Sequence, residues 1–204
     1  MAKQNRKQTI KTIAVLGILI GLTILMAFTP VGYLRIGVVV SISFLMIPVA
    51  IGAIAKGPWA GALIGTVFGI TSFVQCFGMD PFGTYLASIN VFFTFIMCIV
   101  CRALAGFLAG VVYKILSKLV KNTPITTSVT GLCAALFNTI LFVGALILLF
   151  GTQTVSTAIG SDVNLNVIAL IATICGFNAI FEAIAAFLIT GAVGTALRAA
   201  KLID

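Results

Sequence analysis

The sequence contains no histidine and only four acidic residues, Asp80, Asp162, Glu182 and Asp204, scattered along 204 positions. The first absence removes the commonest general base and metal ligand. The second leaves no carboxylate pair for acid–base work. No Gly-x-Ser-x-Gly elbow, phosphate loop or metal-ligand spacing appears, so no catalytic set and no resident cofactor or metal is expected. Charge of either sign is also scarce, at 8% of residues, against roughly a quarter in a soluble domain. A chain that is 61% hydrophobic cannot cover a water-exposed surface with so little charge. Most of its outer face must meet lipid.

What is present is a series of apolar runs of about 20 residues, the length that spans roughly 30 Å of hydrocarbon. Six are read: 10–28, 37–55, 60–77, 91–113, 128–150 and 167–191. They predict a single all-α membrane domain, a bundle of six transmembrane helices. The first is too long, and too directly followed by apolar sequence, for a cleaved signal peptide, and is read as a retained helix. The five cysteines lie in apolar runs. Cys98-x-x-Cys101 has the spacing of a redox or metal pair, but inside a spanning helix it reads as two small apolar residues.

The net charge of +8 raises nucleic acid or acidic lipid as partners, but its distribution explains it otherwise. Lys3, Arg6, Lys7, Lys11, Lys56, Lys114, Lys118, Lys121, Arg198 and Lys201 fall on one side of the six spans. Arg35, Asp80 and Asp162 fall on the other. The positive-inside rule then places both termini and the Lys56 tip in the cytoplasm. No nucleic-acid role is needed. The expected location is a cytoplasmic membrane of bacterial type.

Small residues and buried polar residues divide the work between spans. The hairpin from Met46 to Ser72 turns at Lys56-Gly57-Pro58-Trp59, and Pro58 opens its second arm without losing a needed N–H. Gly61, Gly65 and Gly69 form a stripe along that arm, and Ala105/Ala109 with Gly106/Gly110 do so in span four. Both suit close helix contact within the protein. Span one carries Ala14 and Gly17-x-x-x-Gly21 without inward polar groups, which suits contact with a separate membrane subunit.

Ionisable groups at membrane depth are functional candidates because they are costly. Arg102, twelve residues before Lys114, lies roughly 18 Å from the inner end of its span, and Glu182, ten before Ala192, roughly 15 Å. Asn138 falls in the same layer and Asn178 one turn further out, with Gln75 and Asn90 nearer the outer ends. One reading makes Arg102 and Glu182 a buried ion pair, hydrogen-bonded by Asn138, that fixes helix packing. The other makes the layer the floor of an outward-opening cavity walled by Gln75, Asn90 and Asn178. Three outer connections could cover it: 29–35 with Tyr33 and Arg35, 78–85 with Phe82 and Tyr85, and the polar 151–166.

These residues resemble a family. The hairpin from Ile47 through Lys56-Gly57-Pro58-Trp59 to Ser72, the segment Ala134-Ala135-Leu136-Phe137-Asn138-Thr139, and Gly176-Phe177-Asn178-Ala179-Ile180-Phe181-Glu182-Ala183-Ile184 are similar to the substrate-binding S components of energy-coupling-factor (ECF) vitamin transporters. The pantothenate-type branch is the most similar. The resemblance implies a non-enzymatic subunit that captures a small-molecule vitamin from outside and topples in the membrane to release it. It also implies a transmembrane coupling subunit and two cytoplasmic ATPases as partners. It places the loop 29–35, with Tyr33 and Arg35, over the site, and docking of the coupling subunit on span one. There the family's Ala-x-x-x-Ala is replaced by Ala14 followed by Gly17 and Gly21, and Cys101 stands where relatives often have proline. A vitamin carboxylate would pair with Arg35 or Arg102. Folate, cobalamin, riboflavin or another small metabolite is the alternative substrate, and a proton-coupled secondary transporter using Glu182 and Arg102 is the reading from another class. The absence of related halves speaks against the latter.

Overall fold

A computed structural model describes residues 2–30, 32–36, 40–120, 122–159 and 166–200. Helix α1 runs over Ala2–Ala27 and is followed by two short antiparallel strands, β1 (Tyr33–Ile36) and β2 (Val40–Ser43). Helices α2 (Met46–Lys56) and α3 (Pro58–Gln75) form a hairpin, and α4 (Pro81–Ile89) is a short helix after it. Helix α5 (Val91–Phe95) passes through a π turn, Ile96–Val100, into α6 (Cys101–Leu119). The long helices α7 (Thr123–Ala158) and α8 (Val167–Ala199) complete the chain.

The protein is thus predominantly helical. Among the described residues four helical stretches are long and apolar enough to cross a membrane: Thr9–Ala27, Val91–Leu119, Thr123–Ala158 and Asn178–Ala199. The stretch 37–55, expected as one span, is instead divided between β2 and the eleven-residue α2. The residues account for this. Val40-Ser41-Ile42-Ser43 combines β-branched side chains with serines, which favour extended over helical backbone. Pro48 then fits in the first turn of α2, where its missing N–H has no intrahelical acceptor to lose. The strands pair in register Tyr33 with Ser43 and Arg35 with Ser41, satisfying backbone groups that apolar surroundings would otherwise leave unpaired. Residues 37–39 lie outside the described residues.

Two further boundaries differ from expectation. Gly151 breaks α7 with φ at 75°, yet the chain continues as helix to Ala158, so part of the expected loop 151–166 is helical. Gly176 breaks α8 with φ at 26° and ψ at −132°. Its spanning stretch is therefore Asn178–Ala199, displaced from the expected 167–191. Positive φ suits a residue without Cβ. Residues 160–165, including Asp162, lie outside the described residues. In the connection 78–85, Asp80 caps α4, its Oδ2 accepting from Gly83 N at 2.9 Å, with Pro81 at the first helical position.

Glycine sets the tightest seam. A Cβ at Gly61 would strike the carbonyl of Gly106, one at Gly65 the carbonyl of Arg102, and one at Gly69 would lie 2.6 Å from Ile99 Cα. A Cβ at Gly110 would strike Pro58. α3 and α6 therefore lie antiparallel, backbone against backbone. α7 and α8 are also antiparallel: Gly131 abuts Ala186 and Thr190, Gly191 abuts Ser128, and Gly194 abuts Thr127. These registers gather Lys56, Lys118 and Arg198 at one end of the bundle.

Two apolar cores result. The first, toward the Lys-rich end, joins Leu19, most of α2, Ile64, Phe68, Ala105, Ala109, Ala134, Ala135 and Ala186. The second, at the opposite end, joins Cys76, Leu86, Ala87, Met97, Cys98, Leu146, Phe150, Val155 and Leu170.

Candidate functional site

On each of four helices, a polar side chain stands between a residue of the first core and a residue of the second. Ser72 separates Phe68 from Cys76 on α3, and Arg102 separates Cys98 from Ala105 on α6. Asn138 separates Ala135 from Leu146 on α7, and Asn178 with Glu182 separates Leu170 from Ala186 on α8. Counted at 1.5 Å per residue from the Lys-rich helix ends, Arg102 and Glu182 each lie about 25 Å up, Asn138 about 22 Å and Ser72 about 21 Å. The four helices carry one polar layer. These heights exceed those expected because α6, α7 and α8 reach Leu119, Thr123 and Ala199 at the Lys-rich end, beyond Lys114, Ser128 and Ala192.

Arg102 is the centre of this layer. Its guanidinium carbon sits 4.7 Å from the Phe68 ring centre and 5.3 Å from that of Phe142, within the range of cation–π attraction. Nη1 donates to the Cys98 carbonyl at 3.1 Å, while Nε has no partner. The π turn directly before Arg102 inserts an extra residue into the helical ladder, a deviation that occurs often at functional sites. Cys101, beside it, donates toward Leu141 O at 3.5 Å and so fixes α6 against α7 at this level.

Arg102 and Glu182 do not form the ion pair of the first reading. Glu182 Oε1 instead accepts the backbone N–H of Ser43 at 2.6 Å. The carboxylate closes the inner end of the β hairpin, whose strand backbone needs an acceptor that a helix would have supplied internally. The hairpin's other strand sends Tyr33 inward. Its hydroxyl lies in hydrogen-bonding reach of Ser72, close enough to Arg102 to feel its charge, and burial pushes the phenol up to about 12.

The remaining candidates sort into two groups. Asn138 and Asn178 are buried, and the Oδ1 of each has no partner. Continuing the α7–α8 register puts Asn138 level with Glu182, and Phe142 lies one turn above Asn138, against Arg102. Thr190 Oγ1 is also unpartnered, but it lies against Gly131 two turns nearer the Lys-rich end. Gln75 and Asn90 have structural work. Gln75 Nε2 donates to the Ala27 carbonyl, tying α3 to the end of α1. Asn90 caps α5, its Oδ1 accepting from Phe93 N at 3.1 Å. Arg35 belongs to β1, and its side chain lies outside the described residues. Sequence reasoning missed Ser43, Phe68, Ser72 and Phe142 in this neighbourhood. Ser72 could have been found, one turn past Phe68 on the same face.

A layer of polar side chains thus lies between two apolar cores, with the strand hairpin reaching it through Ser43 and Tyr33. The profile described as ECF transporter, substrate-specific component, matches residues 11–194. The chain belongs to this family. ECF substrate-specific components are substrate-binding membrane subunits, so the protein is a multi-pass membrane protein with a place in an importer. No curated protein matches the chain.

Proposed function

We propose that this protein is the substrate-capture subunit of an ATP-dependent ECF importer, and that it binds a B vitamin bearing a carboxylate, pantothenate being the best candidate. Both termini are cytoplasmic in this reading, since the basic residues gather at one end of the bundle. The six-span topology counts the buried α2 with β2, and α3, as crossings beside the four long helices.

The observation that carries the proposal is the set of unpartnered polar atoms in one layer. Arg102 Nε is a donor without an acceptor, and Asn138 and Asn178 each present an acceptor without a donor. Buried groups of this kind cost about 1–3 kcal/mol each when unmet. A ligand that supplies a carboxylate to Arg102 and hydroxyl or amide donors to the two asparagines removes that cost. Pantothenate carries all three kinds of group. Phe68 and Phe142 provide apolar walls, and Tyr33 and Ser72 a donor-rich edge. Gln75, Asn90 and Arg35 complete the list of proposed contacts at the outer rim, with the first two also serving the fold.

The proposed partners are a transmembrane coupling subunit and two cytoplasmic ATPases, in a lipid bilayer. Docking falls on α1, where Ala14, Gly17 and Gly21 are exposed and nothing lies within 4 Å of a Cβ built on either glycine. Labelled pantothenate binding to purified protein, with riboflavin, folate and cobalamin as competitors, tests the substrate. Saturable pantothenate binding that the competitors leave untouched is expected. Displacement by one of them reassigns the vitamin. Uptake in vesicles carrying the whole assembly is expected to need ATP. If it needs only a proton gradient, the importer reading fails in favour of a secondary transporter.

A further inference from the structure

Outside the polar layer, the end of α3 and the π turn bring two thiols together. Cys76 Sγ lies 3.9 Å from Cys98 Sγ, and both residues are almost wholly buried, at 4% and 1% exposure. The contact is tertiary and follows from the glycine seam: Gly69 lets the α3 backbone approach Cys98 and Ile99 directly, and Cys76 follows two turns later. The Cys98-x-x-Cys101 spacing contributes nothing to it, because Cys101 faces α7. Above the pair lies only a thin cover. A Cβ at Gly83 of α4 would sit 2.5 Å from Cys76 Sγ, so one glycine of a nine-residue helix lies directly on the thiol, flanked by exposed Phe77, Gly78 and Met79.

We propose that Cys76 and Cys98 are a redox-active dithiol, closed to a disulfide by a low-molecular-weight disulfide arriving from the outer side. One cysteine loses its proton and attacks a sulfur of the oxidant, breaking the oxidant's S–S bond. A mixed disulfide forms and one small thiol leaves with a proton. The second cysteine loses its proton and attacks the protein-side sulfur, forming the Cys76–Cys98 bond and releasing the second small thiol. The two protein thiols give up two electrons, and the oxidant becomes two thiols. The sulfurs must approach to about 2.05 Å by rotation of the two side chains, because the seam beside Gly69 is already closed. The bond would tie α3 to the turn whose Cys98 carbonyl holds Arg102 Nη1.

The test uses full-length protein, folded in detergent and treated with dithiodipyridine. The expected products are both thiopyridones free in solution, a Cys76–Cys98 cross-linked peptide in a non-reducing digest, and a rise in unfolding temperature that dithiothreitol reverses. Cys101→Ala should keep the cross-link, whereas Cys76→Ala and Cys98→Ala should each abolish it and leave no substitute cross-link. Both alanine variants only shorten a small side chain, so folding is checked by size exclusion beforehand. A cross-link between Cys98 and Cys101, or a pair that stays reduced until the protein unfolds, overturns the proposal. The outcome does not depend on which vitamin is bound.

Discussion

α1 and α3 carry the same sequence device, glycine at four-residue spacing, and the structure uses it in opposite ways. On α3 the glycines are filled from the opposite side by the backbone of α6, leaving no room for a Cβ at Gly61, Gly65 or Gly69. On α1 nothing lies within 4 Å of the positions a Cβ would take at Gly17 and Gly21. The burial of the two regions agrees: Gly61, Gly65 and Gly69 are buried, whereas Gly17 and Gly21 are exposed. A small-residue stripe thus gives a surface on which a backbone can come close, and says nothing by itself of whose backbone it is. In α3 it holds the wall of the polar layer. In α1 it lies open.

The largest effect expected from breaking this contrast is at the seam. Gly106→Leu forces a side chain into the Gly61 backbone, which cannot give way as a side chain can. It should cost about 3 kcal/mol or more and lower the yield of monodisperse protein. Thermal unfolding in detergent measures it, and a Gly106→Leu protein as stable as the parent would show the seam to be looser than described.

Next come the residues that the seam supports. Arg102→Met should weaken binding of a carboxylate ligand by about 1.5–3 kcal/mol, the value of a charge-assisted hydrogen bond, or roughly 10- to 150-fold in affinity. Equilibrium binding of pantothenate checks this, with the alcohol analogue expected to lose much less. Glu182→Ala leaves the Ser43 N–H without its acceptor and should destabilise by about 1–3 kcal/mol, while Glu182→Gln, which keeps a carbonyl oxygen, should recover most of it. Because Arg102 and Glu182 make no direct ion pair, the stability changes of Arg102→Met and Glu182→Gln should couple only through the charge Arg102 places near Glu182, by no more than about 0.5 kcal/mol. A coupling well above about 0.5 kcal/mol would restore the ion pair.

The sequence showed a membrane bundle, its charged end and most of the polar layer, because these rest on local signals: run length, basic residues, and the scarcity of polar groups in apolar helices. Arg102, Asn138, Asn178 and Glu182 were found this way. Their partners were not. That Glu182 serves Ser43 depends on the chain being strand at 40–43, and an apolar β-branched run reads equally as a buried strand or as part of a span. The breaks at Gly151 and Gly176 were hidden for a related reason. Glycine is common in spanning helices, so its presence alone does not mark where one stops. Cys76 with Cys98 was invisible because the pairing depends on how two helices lie, whereas Cys98 with Cys101 was conspicuous and does not occur.

The smallest effect on the isolated protein, and the most telling one, is expected at Gly17. Leucine there meets open space, so stability should change by no more than about 0.5 kcal/mol and substrate affinity should stay as in the parent. Gly17→Leu protein, assembled with its coupling subunit and ATPases in vesicles, should nevertheless show strongly reduced ATP-dependent uptake. Full uptake by the variant, or lost binding in the isolated protein, would contradict the assignment of α1 as the face left for a partner.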